Sequence, residues 1–246
     1  MPIDHLAPQT LARRAAAEAA VALVKPGMTL GLGTGDTAAH AIRALAARKL
    51  PGLHCVATSS RSAALARELG LPLFELDDLA PPADLAAEQP IDLTIDGADE
   101  VDAELQLVKG GGGALLFEKL VAQASRRMVV IADEDKVVAR IGDKRALPIE
   151  IVCFGARHTV QRIAFLPAVA SAALRPLADG SAPFLTDSGH YIVDATLRTG
   201  HPAGPLHHAL KLLLGVVETG LFCHEASLAY IGQPDGTVRT LSRAAR

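Results

Sequence analysis

Aromatic side chains are nearly missing from this 246-residue chain, with six Phe, two Tyr and no Trp. That leaves no stacking platform for single-stranded nucleic acid. An excess of charge of one sign is missing too. The 24 Lys and Arg against 27 Asp and Glu leave a net charge of -3, which excludes a general electrostatic hold on DNA or on anionic lipid. Cysteine is sparse: Cys55, Cys153 and Cys223 are scattered, odd in number and form no CxxC pair. A reducing cytoplasm is therefore expected rather than a disulfide framework. No apolar stretch reaches ~18 residues without a charge or helix breaker, and the first residues lack a basic segment followed by an apolar one, so no membrane partner is expected. The histidines show no zinc spacing: His207 and His208 are adjacent, and a Pro/Gly-containing stretch separates His201 from them. They read as surface or lid residues. GxGxxG, GxxxxGK[ST] and GxSxG are all missing, which removes the usual dinucleotide, P-loop and hydrolase-elbow sites. No cofactor is expected.

What is present is an alternation. Residues 9–24 form an Ala-rich helical pattern stopped by Pro26-Gly27. MTLGL (28–32), LHCVATSS (53–60), IDLTIDGADE (91–100) and RMVVIADEDK (127–136) read as strands, the second and fourth running into turns. Helical patterns follow the first three, over 38–49, 61–70 (with Gly70 as its C-cap) and 114–125. Strands alternating with helices predict an α/β layer fold with a mainly parallel sheet. After Pro148 the order becomes β-α-β-β-α-β, with a hairpin over 182–197 turning at Asp187-Ser188-Gly189 and VVETGLF (216–222) as one final strand. That order predicts a small ferredoxin-like α+β second domain. The expected organisation is an α/β unit of residues 1–147 plus 223–246 and a small α+β unit of residues 148–222. The tail ASLAYIGQPDGTVRTL (226–241) has strand character and is expected to return to the first sheet.

In open parallel sheets ligands bind beyond the carboxyl ends of the strands. Four chemically rich stretches fall there: Gly33-Thr34-Gly35-Asp36-Thr37, Thr58-Ser59-Ser60, Asp96-Gly97-Ala98-Asp99, and Ala132-Asp133 with Lys136 nearby. The first is either an anion-holding loop before a helix start or a tight turn whose helix is capped by Asp36 or Thr34. Asp96, Asp99, Glu100, Asp102 and Glu104 read either as a solvated charge run or, for the first two, as ligand-facing acids. Carboxylates could also take Mg²⁺, though Lys109 could neutralise the same charges. Gly110, Gly111, Gly112 and Gly113 are costly to order together, which suggests a backbone passing close to a ligand. Glu118 follows on the next helix, as a catalytic group or as half of an ordinary surface ion pair.

GLGTGDTAAH, DGADEVD, LVKGGGGALLFEK and GVVETGLF, in this order, resemble the ribose-5-phosphate isomerases of the A type over nearly the whole chain. The resemblance implies a Rossmann-like α/β catalytic domain, residues 1–147 plus 223–246, with residues 148–222 as a small ferredoxin-like α+β lid, in a metal-independent enzyme interconverting D-ribose 5-phosphate and D-ribulose 5-phosphate, in the non-oxidative pentose phosphate pathway, as a homodimer or homotetramer. It implies Glu118 as the base between C2 and C1, and Lys109 as the group that neutralises the enediolate. Asp96 and Asp99 would contact sugar hydroxyls, Thr34 and Thr37 would sit in the substrate-holding loop, and Lys136 would lie near the phosphate. Arg13 stands where a lysine is frequent. Asp36 stands where a serine is common, and a carboxylate ~4 Å from a phosphate would be repelled by ~4 kcal/mol at an effective ε of ~20. Either Asp36 turns away to cap its helix or the loop's ligand differs. The lid turn also departs, with an effect expected on the turn alone. Three alternatives stay open: an isomerase of another phosphosugar, a non-catalytic sugar-phosphate sensor, and an enzyme acting through a glutamyl thioester.

Overall fold

The first helix shows why alanine is so abundant. In the computed structural model, which describes residues 7–79 and 89–243, α1 (Pro8–Val21) starts with proline in its first turn and buries Ala12, Ala16, Ala17, Ala20 and Val21. Small side chains at this spacing form one face that packs closely on its neighbours. The helix ends at Val21, three residues short of the expected end, in tight turns from Leu23 to Ala20 and from Val24 to Val21.

Next come β1 (Thr29–Leu32), α2 (Asp36–Ala47), β2 (His54–Ala57), α3 (Ser60–Glu68) and β3 (Leu93–Gly97). Gly70 closes α3 in the left-handed region, as its place in the sequence predicts. Two short strands that the acid run concealed follow, β4 (Glu100–Val101) and β5 (Leu107–Val108), then α4 (Leu115–Gln123) and β6 (Met128–Asp133). Glu100 is not part of a solvated run. It is buried and accepts the backbone N–H groups of Gly142, Lys144 and Arg145, each at 2.6 Å.

The chain then forms β7 (Leu147–Ile151), α5 (Ala156–Ala164), β8 (Val169–Leu174), β9 (Tyr191–Leu197), α6 (Ala203–Lys211) and β10 (Val216–Thr219). It finishes with β11 (Leu221–Phe222), β12 (Ala226–Gly232) and β13 (Val238–Ser242). The central sheet has the order β13-β12-β6-β3-β1-β2, and all its pairings are parallel except β12 with β13. The tail therefore returns to this sheet as a hairpin. Met128–Asp133 is buried throughout. Val129 and Ile131 face the core beneath α1 and α2, while Met128, Val130 and Ala132 face a second core holding Leu107 and Phe222. Such two-sided burial is what a parallel strand covered on both faces requires.

The second sheet has the order β10-β7-β9-β8 and is antiparallel. The expected β-α-β-β-α-β order is present. The hairpin is shorter than expected: its turn at Asp187–Gly189 is closed by a Leu185–Tyr191 bridge and the Thr186 N–H to His190 carbonyl bond, and from Val193 onward β9 pairs with β8 instead. VVETGLF is likewise two strands. It leaves the antiparallel sheet at Gly220 and joins β5 in a small third sheet, β11-β5-β4. Gly220 exchanges backbone hydrogen bonds with Pro148 and Lys109. A Cβ there would lie 2.2 Å from the Lys109 carbonyl oxygen, so only glycine fits the crossing.

Candidate active site

The carboxyl ends of β1, β2, β3 and β6 meet at one edge of the central sheet, and there a cavity of about 320 Å³ opens. The four stretches singled out from the sequence all reach this region. At its inner end the buried Lys109 ammonium lies 2.9 Å from Asp96 Oδ2 and 3.1 Å from Glu118 Oε1, and it donates to the Gly97 carbonyl at 2.6 Å. The placement is local in origin: β3 delivers Asp96, β5 delivers Lys109, and the first turn of α4 delivers Glu118. Lys119 anchors that helix. Its ammonium donates to Glu218 Oε1, Thr219 O and Leu221 O at 2.8–2.9 Å.

Asp96 does not line the cavity. It is fully buried beneath Lys109, and its Oδ1 accepts the N–H groups of Thr34 (3.0 Å) and Gly97 (2.7 Å). Gly33 does not line it either. A Cβ on Gly33 would fall 2.1 Å from Asp96 Oδ1, so this glycine makes room for the carboxylate. Asp99 does line the cavity, with Oδ2 accepting the Gly111 N–H at 2.7 Å. Gly111 must be bare for this contact, because a Cβ would meet the same carboxylate at 2.7 Å. Gly110, Gly112 and Gly113 complete the wall beside it.

Burial pushes the Glu118 carboxyl up to about 8, against the pull of Lys109. Burial raises Asp96 as well. Burial acts against the charge of Lys109, but Asp96, Glu118 and Asp99 together outweigh it and hold the ammonium above the usual lysine value. Glu118 Oε2 is buried and has no hydrogen-bond partner among the described residues.

The outer end is cationic. Arg13, Arg61 and Lys136 line it, with Thr34, Gly35, Asp36 and Thr37 from the loop entering α2. The N-cap of α2 is Gly35, with no side-chain cap, so neither Asp36 nor Thr34 caps the helix. Asp36 instead pairs with Arg61 Nη2 at 2.9 Å and lies 3.7 Å from Arg13 Nη1. The Thr34 hydroxyl is engaged with Thr58 Oγ1 (2.8 Å) and Ser59 Oγ (2.7 Å), which ties the first loop to the second. Arg13 also holds the buried Asp133 at 2.8 Å.

The sequence did not single out Arg61, Phe184, Asp187 or Arg175 for the site. The lid turn, expected to matter only to itself, reaches the cavity. Asp187 accepts from Ser60 N–H (2.8 Å) and from Ser60 Oγ (3.1 Å). Phe184 covers Gly113, and Arg175 donates to the Gly110 and Gly111 carbonyls at 3.0 Å. Arg61 could have been suspected from its place directly after a hydroxyl-rich turn. The other three lie 62 to 74 residues beyond Gly113 in sequence, too far for a local signal.

The sequence pattern of ribose 5-phosphate isomerase A (phosphoriboisomerase A) matches residues 54–236. A ribose-5-phosphate isomerase A of Deinococcus radiodurans is 45% identical over 236 residues, covering 94% of this chain and 97% of that protein. One from Sinorhizobium fredii is 48% identical over 233 residues, covering 92% and 95%. A solved D-ribose-5-phosphate isomerase in complex with phospho-erythronic acid superposes with a TM-score of 0.87 at 30% identity, covering 97% of this chain and 100% of that one. With the family pattern spanning most of its length and such relatives matching it nearly end to end, this chain belongs to the ribose 5-phosphate isomerase A family.

Proposed function

We propose that the cavity interconverts D-ribose 5-phosphate and D-ribulose 5-phosphate through an enediolate, without a metal. One observation carries this reading. Glu118 has one oxygen held by Lys109 and the other unpartnered, at the inner end of a cavity whose outer end is cationic. A phosphate at the outer end places the sugar's C1 and C2 toward Glu118.

In the open-chain aldose, Glu118 takes the proton from C2. The C–H electron pair forms the C1–C2 double bond, and the carbonyl pair moves onto O1. The Lys109 ammonium stabilises that oxyanion. The O2 proton passes to O1, C2 becomes the carbonyl, and Glu118 returns its proton to C1. Asp99, on the cavity wall, is the group placed to move hydroxyl protons and assist ring opening. Asp96 acts through Lys109 and is a positioning residue.

Residues 148–222 act as a lid in this reading, supported by the contacts of Asp187, Phe184 and Arg175 with the catalytic loops. The resemblance implies a homodimer or homotetramer. The exposed Phe154, Phe165, Leu212 and Leu214, near the ends of α5 and α6, are apolar surface of the kind such contacts cover. A cytoplasmic place of action is supported by the three free thiols.

The test is conversion of ribose 5-phosphate by purified protein in EDTA, beside Glu118→Gln. The expected result is full turnover by the wild type and a loss of ~10²–10⁴-fold in kcat for the variant, with phosphosugar binding retained. A variant that keeps its kcat would remove Glu118 from the role of base, and EDTA-sensitive turnover would overturn the metal-free route.

A further inference from the structure

The phosphate end of the cavity contains a carboxylate that the isomerisation does not use. Asp36 is exposed at this rim and would oppose a dianion there. Among the described residues, three cations line this end, Arg13, Arg61 and Lys136, against two lining carboxylates, Asp36 and Asp187, while Asp133 lies buried behind them against Arg13. Arg13 is committed through Nε to the buried Asp133. Removing Arg61 would leave cations and carboxylates equal in number, and an anion site would have no net positive charge.

We infer that Arg61 is a substrate-positioning residue: it neutralises Asp36 and turns the pair into part of the phosphate site. Four observations support this. Arg61 lines the cavity and meets Asp36 Oδ1 through Nη2 at 2.9 Å. The pair is 70% and 66% exposed, so its value to the fold is small. Arg61 also has five N–H donors, and the bond to Asp36 uses one of them, which leaves others for a phosphate oxygen. The first turn of α3, which carries Arg61, is held through Ser60 by the lid residue Asp187, so the guanidinium is presented from a fixed backbone.

This inference rests on the phosphate-end reading above, and its test separates the two. The affinity of inorganic phosphate is measured by direct titration, and KM and kcat with ribose 5-phosphate, for wild type, Arg61→Ala, Arg61→Lys, Asp36→Asn and the Arg61→Ala/Asp36→Asn double variant. Arg61→Ala is expected to weaken phosphate and raise KM by about ten-fold, equivalent to about 1.4 kcal/mol, with the loss in KM rather than kcat. Arg61→Lys, which keeps the charge, should recover most of it. In the Asp36→Asn background the same removal should cost under about three-fold, because no carboxylate is unmasked. An equal loss in both backgrounds, no change in phosphate affinity, or a loss confined to kcat would overturn the inference. A wild type that binds phosphate through Arg61 yet does not convert ribose 5-phosphate would overturn the substrate reading and leave this one standing.

Discussion

Lys109 holds two carboxylates within 3.1 Å in a place that water barely reaches. At the residue scale, the proposed base, Glu118, would have an unusual working range. A carboxyl raised from 4.5 to about 8 is a much stronger proton acceptor than a solvated glutamate, and it sits close to the pH at which it must act. The active form is the deprotonated one, so activity should rise with pH. We expect kcat/KM to fall about ten-fold per pH unit on the acid side, with the midpoint of that limb well above 4.5 and toward 8. A pH–rate profile of the free enzyme measures it. A flat profile between pH 5 and 8 would mean that Glu118 is already ionised in the resting enzyme.

Single elements do little here; their junctions do the work of positioning. The β1–α2 loop supplies no side chain to the reaction centre, yet its Gly33 and the Thr34 N–H shape the seat of Asp96. Gly33→Ala puts a Cβ 2.1 Å from that carboxylate and 2.5 Å from the Asp96 Cα, and backbone cannot yield as a flexible side chain would. A displacement of about 1 Å passed through Asp96 to Lys109 should cost ~10²-fold in kcat. Steady-state kinetics checks this, with circular dichroism to verify that the fold persists. If kcat holds in a folded variant, Asp96 is not needed at its present position.

At the scale of the whole molecule, the buried site opposes stability. Glu118 binds its proton more tightly in the folded chain than in the unfolded one. Between 4.5 and about 8 the folded state therefore carries more protons. Stability from this group is fully present below 4.5 and is lost as pH rises toward 8. Denaturant midpoints of wild type and Glu118→Gln, taken across that window, should diverge, with the wild type declining relative to the variant as pH rises. Parallel curves would contradict the raised carboxyl. The same scale explains why β10 and β11 had to break at Gly220: the crossing lets one chain segment serve the antiparallel sheet and then back the strand that presents Lys109.

Much was legible in the sequence because its causes are local. The alternation of apolar runs with helical patterns reflects side-chain periodicity, and it identified the parallel sheet, the β-α-β-β-α-β segment and the returning tail. The DGAD, Lys109–Gly113 and Glu118 stretches lie within 23 residues of one another, so their convergence could be read directly. Tertiary structure alone decided the rest. It placed Asp96 beneath Lys109 rather than on the cavity wall, paired Asp36 with Arg61, and brought Asp187, Phe184 and Arg175 from the second sheet's segment onto loops far away in sequence. Those outcomes depend on which strands pair and how closely backbones approach. Such distances are set by the packing of the whole chain, and no short stretch of sequence carries them.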